Sequence, residues 1–107
     1  MHLNRNLGLI LGALATLSSG AAGALPVFSE LYYDAVGSDD GESFVEIYGL
    51  PGTSLDGFAI DGINGTNGAV GPTILLSGSI GASGLFVVAD RRTDGTSSVL
   101  GADLLAN

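Results

Sequence analysis

Two short strands around an acidic loop, together spanning residues 27–48, constrain the fold of this chain more than any other feature. Apolar and polar residues alternate over 27–33 and again over 43–48, which is the period of a half-buried strand. The segment between them, 34–42, is rich in Gly, Ser and Asp, the residue types that form turns without strain. The stretch therefore predicts a strand, a loop and a second strand.

Alternation also predicts which side chains of the first strand share a face of the sheet. One predicted face holds Val27, Ser29, Leu31 and Tyr33, and the other holds Phe28, Glu30 and Tyr32. In the second strand the same rule separates Val45 and Ile47 from Phe44, Glu46 and Tyr48. Both segments thus have the period of a sheet and not of a helix.

Further short apolar segments follow at spacings of about ten residues, with turn signals between them. These segments are 57–61, 73–76, 85–89 and a weaker patch at 99–105. No segment after residue 24 has a sustained period of 3.6, and 14 glycines among residues 25–107 disfavour long helices. The pattern predicts an all-β fold, an antiparallel β-sandwich, with an open barrel as the competing architecture.

Residues 1–24 are predicted to be a helical signal peptide that is cleaved after its last residue. A basic start precedes an apolar run at 7–17, and Ala22-Gly23-Ala24 supplies the small residues that a signal peptidase accepts. The alternative is a retained membrane anchor, although the strongly apolar part is shorter than the roughly 20 residues that a spanning helix needs. We expect a mature domain over 25–107, secreted or in the cell envelope, with no membrane span after cleavage.

The residue types that are missing from 25–107 exclude most enzyme classes. This segment contains no Lys, His or Cys. It therefore has no Ser-His dyad, no thiolate nucleophile, no Schiff-base lysine and no His-ligated metal. Only carboxylates, hydroxyls and two guanidiniums remain for chemistry, so we expect a protein that is not an enzyme and has no organic cofactor.

Residues 25–107 are also strongly acidic. They hold eleven Asp and Glu residues against Arg91 and Arg92, which gives a net charge of −9. Such a surface repels phosphate backbones, so direct binding of nucleic acid is not expected. Because the segment contains no Cys, no disulfide supports the fold of an exported chain.

Three ordered blocks of the sequence resemble the lamin tail domain, an immunoglobulin-like β-sandwich of nuclear lamins and of many exported bacterial proteins. The first block runs from Ser29 to Tyr48 and includes SELYYD and ESFVEIY. The second is Leu55–Ile60, with Phe58 where the family usually has Trp, and the third is Ile80–Ala89. The resemblance implies an immunoglobulin-like antiparallel sandwich of the exported bacterial type over residues 25–107.

The resemblance also implies one or two closing strands beyond those that this sequence contains. An immunoglobulin-like sandwich has about 100 residues and about seven strands, whereas 25–107 holds 83 residues. We therefore expect a partial domain that is truncated before its closing strands. Such a domain would have an uncovered sheet edge and an incompletely covered core, which favours pairing with another chain.

Four carboxylates of the predicted acidic loop, Asp34, Asp39, Asp40 and Glu42, are candidate Ca²⁺ ligands. Oxygen ligands on a flexible, Gly-containing loop suit this ion, and weak affinity is enough outside the cell. The order of the residues does not match an EF-hand loop. The alternative is that these carboxylates are solvated turn residues that keep an exported protein soluble.

Three functions remain open. The first is a non-catalytic structural or interaction module of lamin-tail type, which contacts a protein or cell-surface partner. The second is a Ca²⁺-dependent binding or adhesive module that uses the acidic loop. The third is the N-terminal accessory domain of a larger secreted nuclease or phosphoesterase, since lamin-tail-like domains can accompany such enzymes. The missing residue types and the resemblance together favour the first.

Overall fold

The computed structural model describes residues 24–107, and six short β-strands form its regular structure. The strands are β1 Val27–Tyr32, β2 Phe44–Tyr48, β3 Ala59–Ile63, β4 Val70–Leu75, β5 Leu85–Asp90 and β6 Leu104–Ala106. Between residues 24 and 107 there is no helix that has the length and apolar character to cross a membrane. The predicted signal peptide, apart from its last residue, lies outside the described residues.

The strands form two sheets, which confirms the all-β prediction and is consistent with a β-sandwich. One sheet has the order β1-β2-β5-β6, and the other is the β3-β4 hairpin. The pairs β1/β2, β2/β5 and β3/β4 are antiparallel. Strand β6, in contrast, runs parallel to β5. Residues 91–103 connect these two strands and are long enough for the crossover that a parallel pair requires.

A β-bulge in β1 changes which of its side chains face the core. Phe28 lies opposite Ile47, and Leu31 lies opposite Val45, with one extra residue, Ser29, on the β1 side. Cross-strand partners share a face of the sheet, so Phe28 and Leu31 are on the same side. The predicted alternation of β1 is therefore wrong across Ser29, because one inserted residue reverses the side-chain parity beyond it.

The core lies between the two sheets and is entirely apolar. Its buried members are Ile47, Leu55, Leu76, Ile80, Phe86 and Val88, and the half-buried Ile60, Ile74, Leu104 and Ala106 pack against them. Within residues 24–107, no polar or charged residue is buried. The hydrophobic effect therefore provides the core's stability without any internal polar network.

Two of the most deeply buried residues belong to connecting segments and not to strands. Leu55 and Ile80 flank the isolated bridge between Ser54 and Ser79. The Leu55 N–H donates to the Gly78 carbonyl at 2.8 Å, and the Ile80 N–H donates to the Thr53 carbonyl at 2.9 Å. These bonds fix the two connectors against each other, so that their apolar side chains fill the centre of the molecule.

The two-stranded hairpin covers only part of the four-stranded sheet. Phe28 and Leu31 are 66% and 60% exposed, although the register of β1 places them beside the core residue Ile47 and the half-buried Val45. The hairpin residues that pack against the core are Ile60 and Ile74. The face of β1 that belongs to the sandwich interior therefore remains open on this side.

Candidate functional site

An open cleft lies between the two sheets where β1 is uncovered. Its larger part has a volume of about 630 Å³ and is lined by apolar residues of both sheets, among them Leu31, Val45 and Ile74. A second part of about 510 Å³ extends toward Pro26. Phe28 and Ile60 line both parts, which therefore adjoin. We call the two parts together the inter-sheet cleft.

The walls of the cleft depend on local features of three strands. The bulge at Ser29 places Leu31 on the same inner face of β1 as Phe28, as their pairings with Val45 and Ile47 require. On the other wall, Ile60 pairs directly with Ile74 across the β3-β4 hairpin, so both side chains point to the same side. These features make the centre of the cleft apolar.

Three carboxylates lie at the cleft, and the residues that line it include no basic side chain. Asp39, Asp61 and Asp90 all belong to its lining. Asp39 Oδ1 accepts a hydrogen bond from the Ala35 N–H at 2.8 Å, and Asp61 Oδ1 accepts one from the Thr73 hydroxyl at 2.7 Å. Each of these two bonds uses one oxygen of its carboxylate, and the lining residues include no cation that would balance the negative charge.

The four predicted calcium ligands are exposed, and only Asp39 lines the cleft. The Asp39 carbonyl accepts the Glu42 N–H at 3.0 Å, and the Asp40 N–H donates to the Ser38 hydroxyl at 3.3 Å. Across residues 24–107, no three His, Cys, Asp or Glu side chains form a group that could hold a metal ion. The structure thus does not bring Asp34, Asp39, Asp40 and Glu42 together, and calcium binding stays a prediction.

Residue Gly41 connects the acidic loop to the segment after β5. Its N–H donates to Asp90 Oδ2 at 2.6 Å, and its carbonyl accepts the Ser98 N–H at 2.8 Å and the Ser97 hydroxyl at 3.0 Å. The Arg92 side chain packs directly against it, since a Cβ on Gly41 would lie 2.6 Å from Arg92 Cγ. Asp90, at the end of β5, thereby fixes the loop that brings Asp39 to the cleft.

The two arginines donate hydrogen bonds to neutral groups. Arg92 donates to the Thr96 hydroxyl at 3.4 Å and also to the Ser98 hydroxyl. Arg91 Nε donates to Asn107 Oδ1 at 3.3 Å. These contacts order the segment after β5 but do not place a guanidinium in the lining of the cleft.

Sequence reasoning identified Asp39 but did not identify the cleft or its other acidic residues. Asp61 and Asp90 come from β3 and β5, and only the packing of the two sheets places them around one cavity. The sequence-based prediction that could have pointed to the cleft was that of an incompletely covered core. It indicated that an apolar surface would remain open, but not which residues would form it.

Similarity to known proteins does not identify the site. No protein-family model, no curated protein and no solved structure matches the chain. The class of protein must therefore be inferred from the residues and geometry described above, and the lamin-tail resemblance stays a prediction.

Proposed function

We propose that residues 25–107 form an exported, non-catalytic interaction module of lamin-tail type with an immunoglobulin-like sandwich, which binds a protein or cell-surface partner. The observation that carries this proposal is the inter-sheet cleft, with its apolar walls and acidic lining residues. An exposed apolar concavity of this size favours binding, because its burial against a partner removes apolar surface from water.

The positions of the strands support the assignment to this class. Each block of the lamin-tail resemblance coincides with strand structure: SELYYD with β1, ESFVEIY with β2, LDGFAI with the start of β3, and Ile80–Ala89 with the approach to β5 and most of that strand. Strands β2 and β5 pair directly although β3 and β4 lie between them in the chain. Immunoglobulin-type sandwiches likewise pair their B and E strands across an excursion to the other sheet.

The chemistry of the cleft favours binding over catalysis. Its side-chain functional groups are carboxylates, hydroxyls and the Asn107 amide, because the segment that forms it contains no Lys, His or Cys. A general acid or base is usually activated by burial or by a charged neighbour. No polar or charged side chain of residues 24–107 is buried, so the observed environment offers little such activation. An accessory role beside a secreted enzyme is compatible with the same binding function.

The test is a binding experiment with the full chain as its host secretes it. The intact mass of the secreted product measures cleavage after Ala24, for which we expect a mature chain that begins at Leu25. Fluorescently labelled product is then incubated with intact cells of the producing organism, with unlabelled product as competitor. We expect saturable, competed binding and no hydrolysis of DNA, RNA or phosphoesters. Absence of competed binding, or hydrolysis that copurifies with the chain, contradicts the proposal.

A further inference from the structure

The edge of β3 borders the inter-sheet cleft. Residues 60–63 of this strand line the larger part consecutively, whereas β4 contributes only Pro72 and Ile74. Side chains alternate between faces along a strand, so a consecutive run in the lining means that the cleft meets the strand's edge. Apart from β4, no strand formed by residues 24–107 pairs with β3.

The open edge of β3 carries backbone groups that are ready to pair. The Phe58 carbonyl accepts the Leu76 N–H at 2.9 Å, which places residue 58 among those that bond toward β4. Backbone groups of successive residues in an antiparallel strand point to alternate edges. Ala59 and Asp61 therefore direct their N–H and C=O groups away from β4 and toward the cleft.

An extended segment at this edge would also cover the exposed side chains of β1. Phe28 and Ile60 line the cleft from opposite sheets, so a strand between β1 and β3 would contact both. A strand added to the outer edge of β1 would instead lengthen the four-stranded sheet and leave Phe28 open. The geometry thus favours addition at β3.

Charge indicates the chemistry of the occupant. Residues 25–107 carry a net charge of −9, and Asp39 and Asp61 lie in the lining of the cleft. A second copy of the chain would bring the same negative charge, and like charges across an interface are unfavourable. A segment with Lys or Arg next to its apolar part would be complementary to both the walls and the carboxylates.

We propose that the inter-sheet cleft binds one extended segment of a partner polypeptide, in which apolar side chains alternate and Lys or Arg residues flank them. The segment adds as a strand to the open edge of β3, its apolar side chains pack on Phe28 and Ile60, and its basic ends lie near Asp39 and Asp61. Main-chain bonds supply affinity, and the side chains supply specificity, as in other β-augmentation complexes. This inference rests on the proposed function and specifies the site and partner chemistry.

The experiment titrates the full chain, as secreted, with a short synthetic peptide that alternates Val with Thr and carries Lys at both ends. Calorimetry measures its affinity, and amide exchange measured by NMR locates it. We expect slowed exchange at Ala59 and Asp61. A matched peptide with Glu at both ends should bind at least about tenfold more weakly, since each interface charge would then be repelled.

Variants of the chain test the walls of the cleft. Phe28→Ser removes an apolar contact at the centre and is expected to lower peptide affinity about tenfold. Val36→Ser is the matched control, because Val36 is 99% exposed and does not line the cleft. We expect it to bind the peptide as the unmodified chain does. If Phe28→Ser does not fold, the comparison of the Lys and Glu peptides on the unmodified chain still tests the inference.

Three results would overturn the inference: no binding of the Lys peptide, equal binding of the Lys and Glu peptides, or protection at β1 in place of β3. A dimer in light scattering that is lost in Phe28→Ser would also overturn it, because the occupant would then be a second copy. If these results occur while the labelled chain still binds cells, the proposed function stands and only the cleft assignment fails.

Discussion

At the scale of single residues, Gly41 links the acidic loop to the segment after β5, and its backbone has φ +77°. Gly41→Ala is expected to cost about 2 kcal/mol of unfolding free energy. The new Cβ would lie 2.6 Å from Arg92 Cγ, so the arginine would have to move away from Thr96 and Ser98. Urea unfolding followed by circular dichroism measures the change.

Gly37→Ala is the matched control for this substitution. Gly37 also has a positive φ, +101°, but a Cβ there would meet nothing within 4 Å. Gly37→Ala should therefore lower the unfolding free energy only by the cost of the backbone conformation, about 1 kcal/mol. Equal losses for the two variants would mean that the contact with Arg92 does not stabilise the loop.

Asp94 provides a pH-dependent prediction at the same scale. The Thr96 hydroxyl and N–H both donate to Asp94 Oδ1, at 2.7 and 2.9 Å, and these bonds, with a smaller effect of Arg92, lower the pKa of the carboxyl. Because the folded-state pKa lies below the unfolded one, the resulting stabilisation is present above the ordinary carboxyl range and is lost as pH falls through the lowered pKa. Thr96→Val should raise the pKa of Asp94 in an NMR titration.

The neighbouring Thr93→Val serves as its control. Thr93 is exposed, and its replacement should leave the Asp94 titration unchanged. A titration of Asp94 that is identical in the unmodified chain and in Thr96→Val would show that the hydroxyl bond is absent in solution.

At the scale of elements, β1 and β2 bring two like charges together. Glu30 lies directly opposite Glu46, whose Oε1 accepts the Ser29 hydroxyl at 2.7 Å. Like charges at such positions are destabilising, and opposite charges contribute about 0.2–1 kcal/mol. Glu30→Lys is therefore expected to raise the midpoint of thermal unfolding, measured by circular dichroism at low salt.

A control variant with the same change in net charge distinguishes the effect of the Glu30–Glu46 pair on the midpoint from the effect of the chain's overall charge. Glu42→Lys alters an exposed loop carboxylate and should raise the midpoint less. The effect of Glu30→Lys should also shrink at high salt, because exposed charges are screened. If the two variants stabilise equally, the pairing of Glu30 with Glu46 has no specific effect.

The connecting segments provide a second prediction at this scale. Leu55 is 0% exposed and lies outside every strand. Leu55→Ala should cost about 2–5 kcal/mol of unfolding free energy, since it removes buried methyl groups and leaves a cavity. Leu100→Ala, at a position that is 94% exposed, should change stability by less than about 0.5 kcal/mol. Similar losses in urea unfolding would contradict the placement of Leu55 in the core.

At the scale of the whole molecule, calcium distinguishes two of the candidate functions. A ligand that binds the folded state raises its stability in proportion to the logarithm of ligand concentration over Kd. Because residues 24–107 hold no group of three carboxylates that could form a metal site, we expect the same unfolding midpoint with millimolar Ca²⁺ and with a chelator. A calcium-dependent rise that Asp39→Asn removes would instead favour the Ca²⁺-dependent binding module.

Much of the fold was predictable because strands and turns are local features. The alternation over 27–33 and 43–48 placed β1 and β2 to within a residue or two, and the apolar segment 85–89 placed β5. The predictions failed where one residue interrupts a local pattern. The sequence around Ser29 alternates as it would in a regular strand. The period alone therefore could not show the bulge, or that Phe28 and Leu31 share a face.

By itself, then, the sequence determined the approximate strand positions, the acidic charge and the absence of Lys, His and Cys from residues 25–107. The tertiary structure decided the parallel pairing of β6, the central place of Leu55 and Ile80, and the meeting of Asp39 with Asp61 at one cleft. The physical reason is that periodicity reports on a segment's own faces, whereas sheet order, register and cavities depend on contacts between segments far apart in the chain.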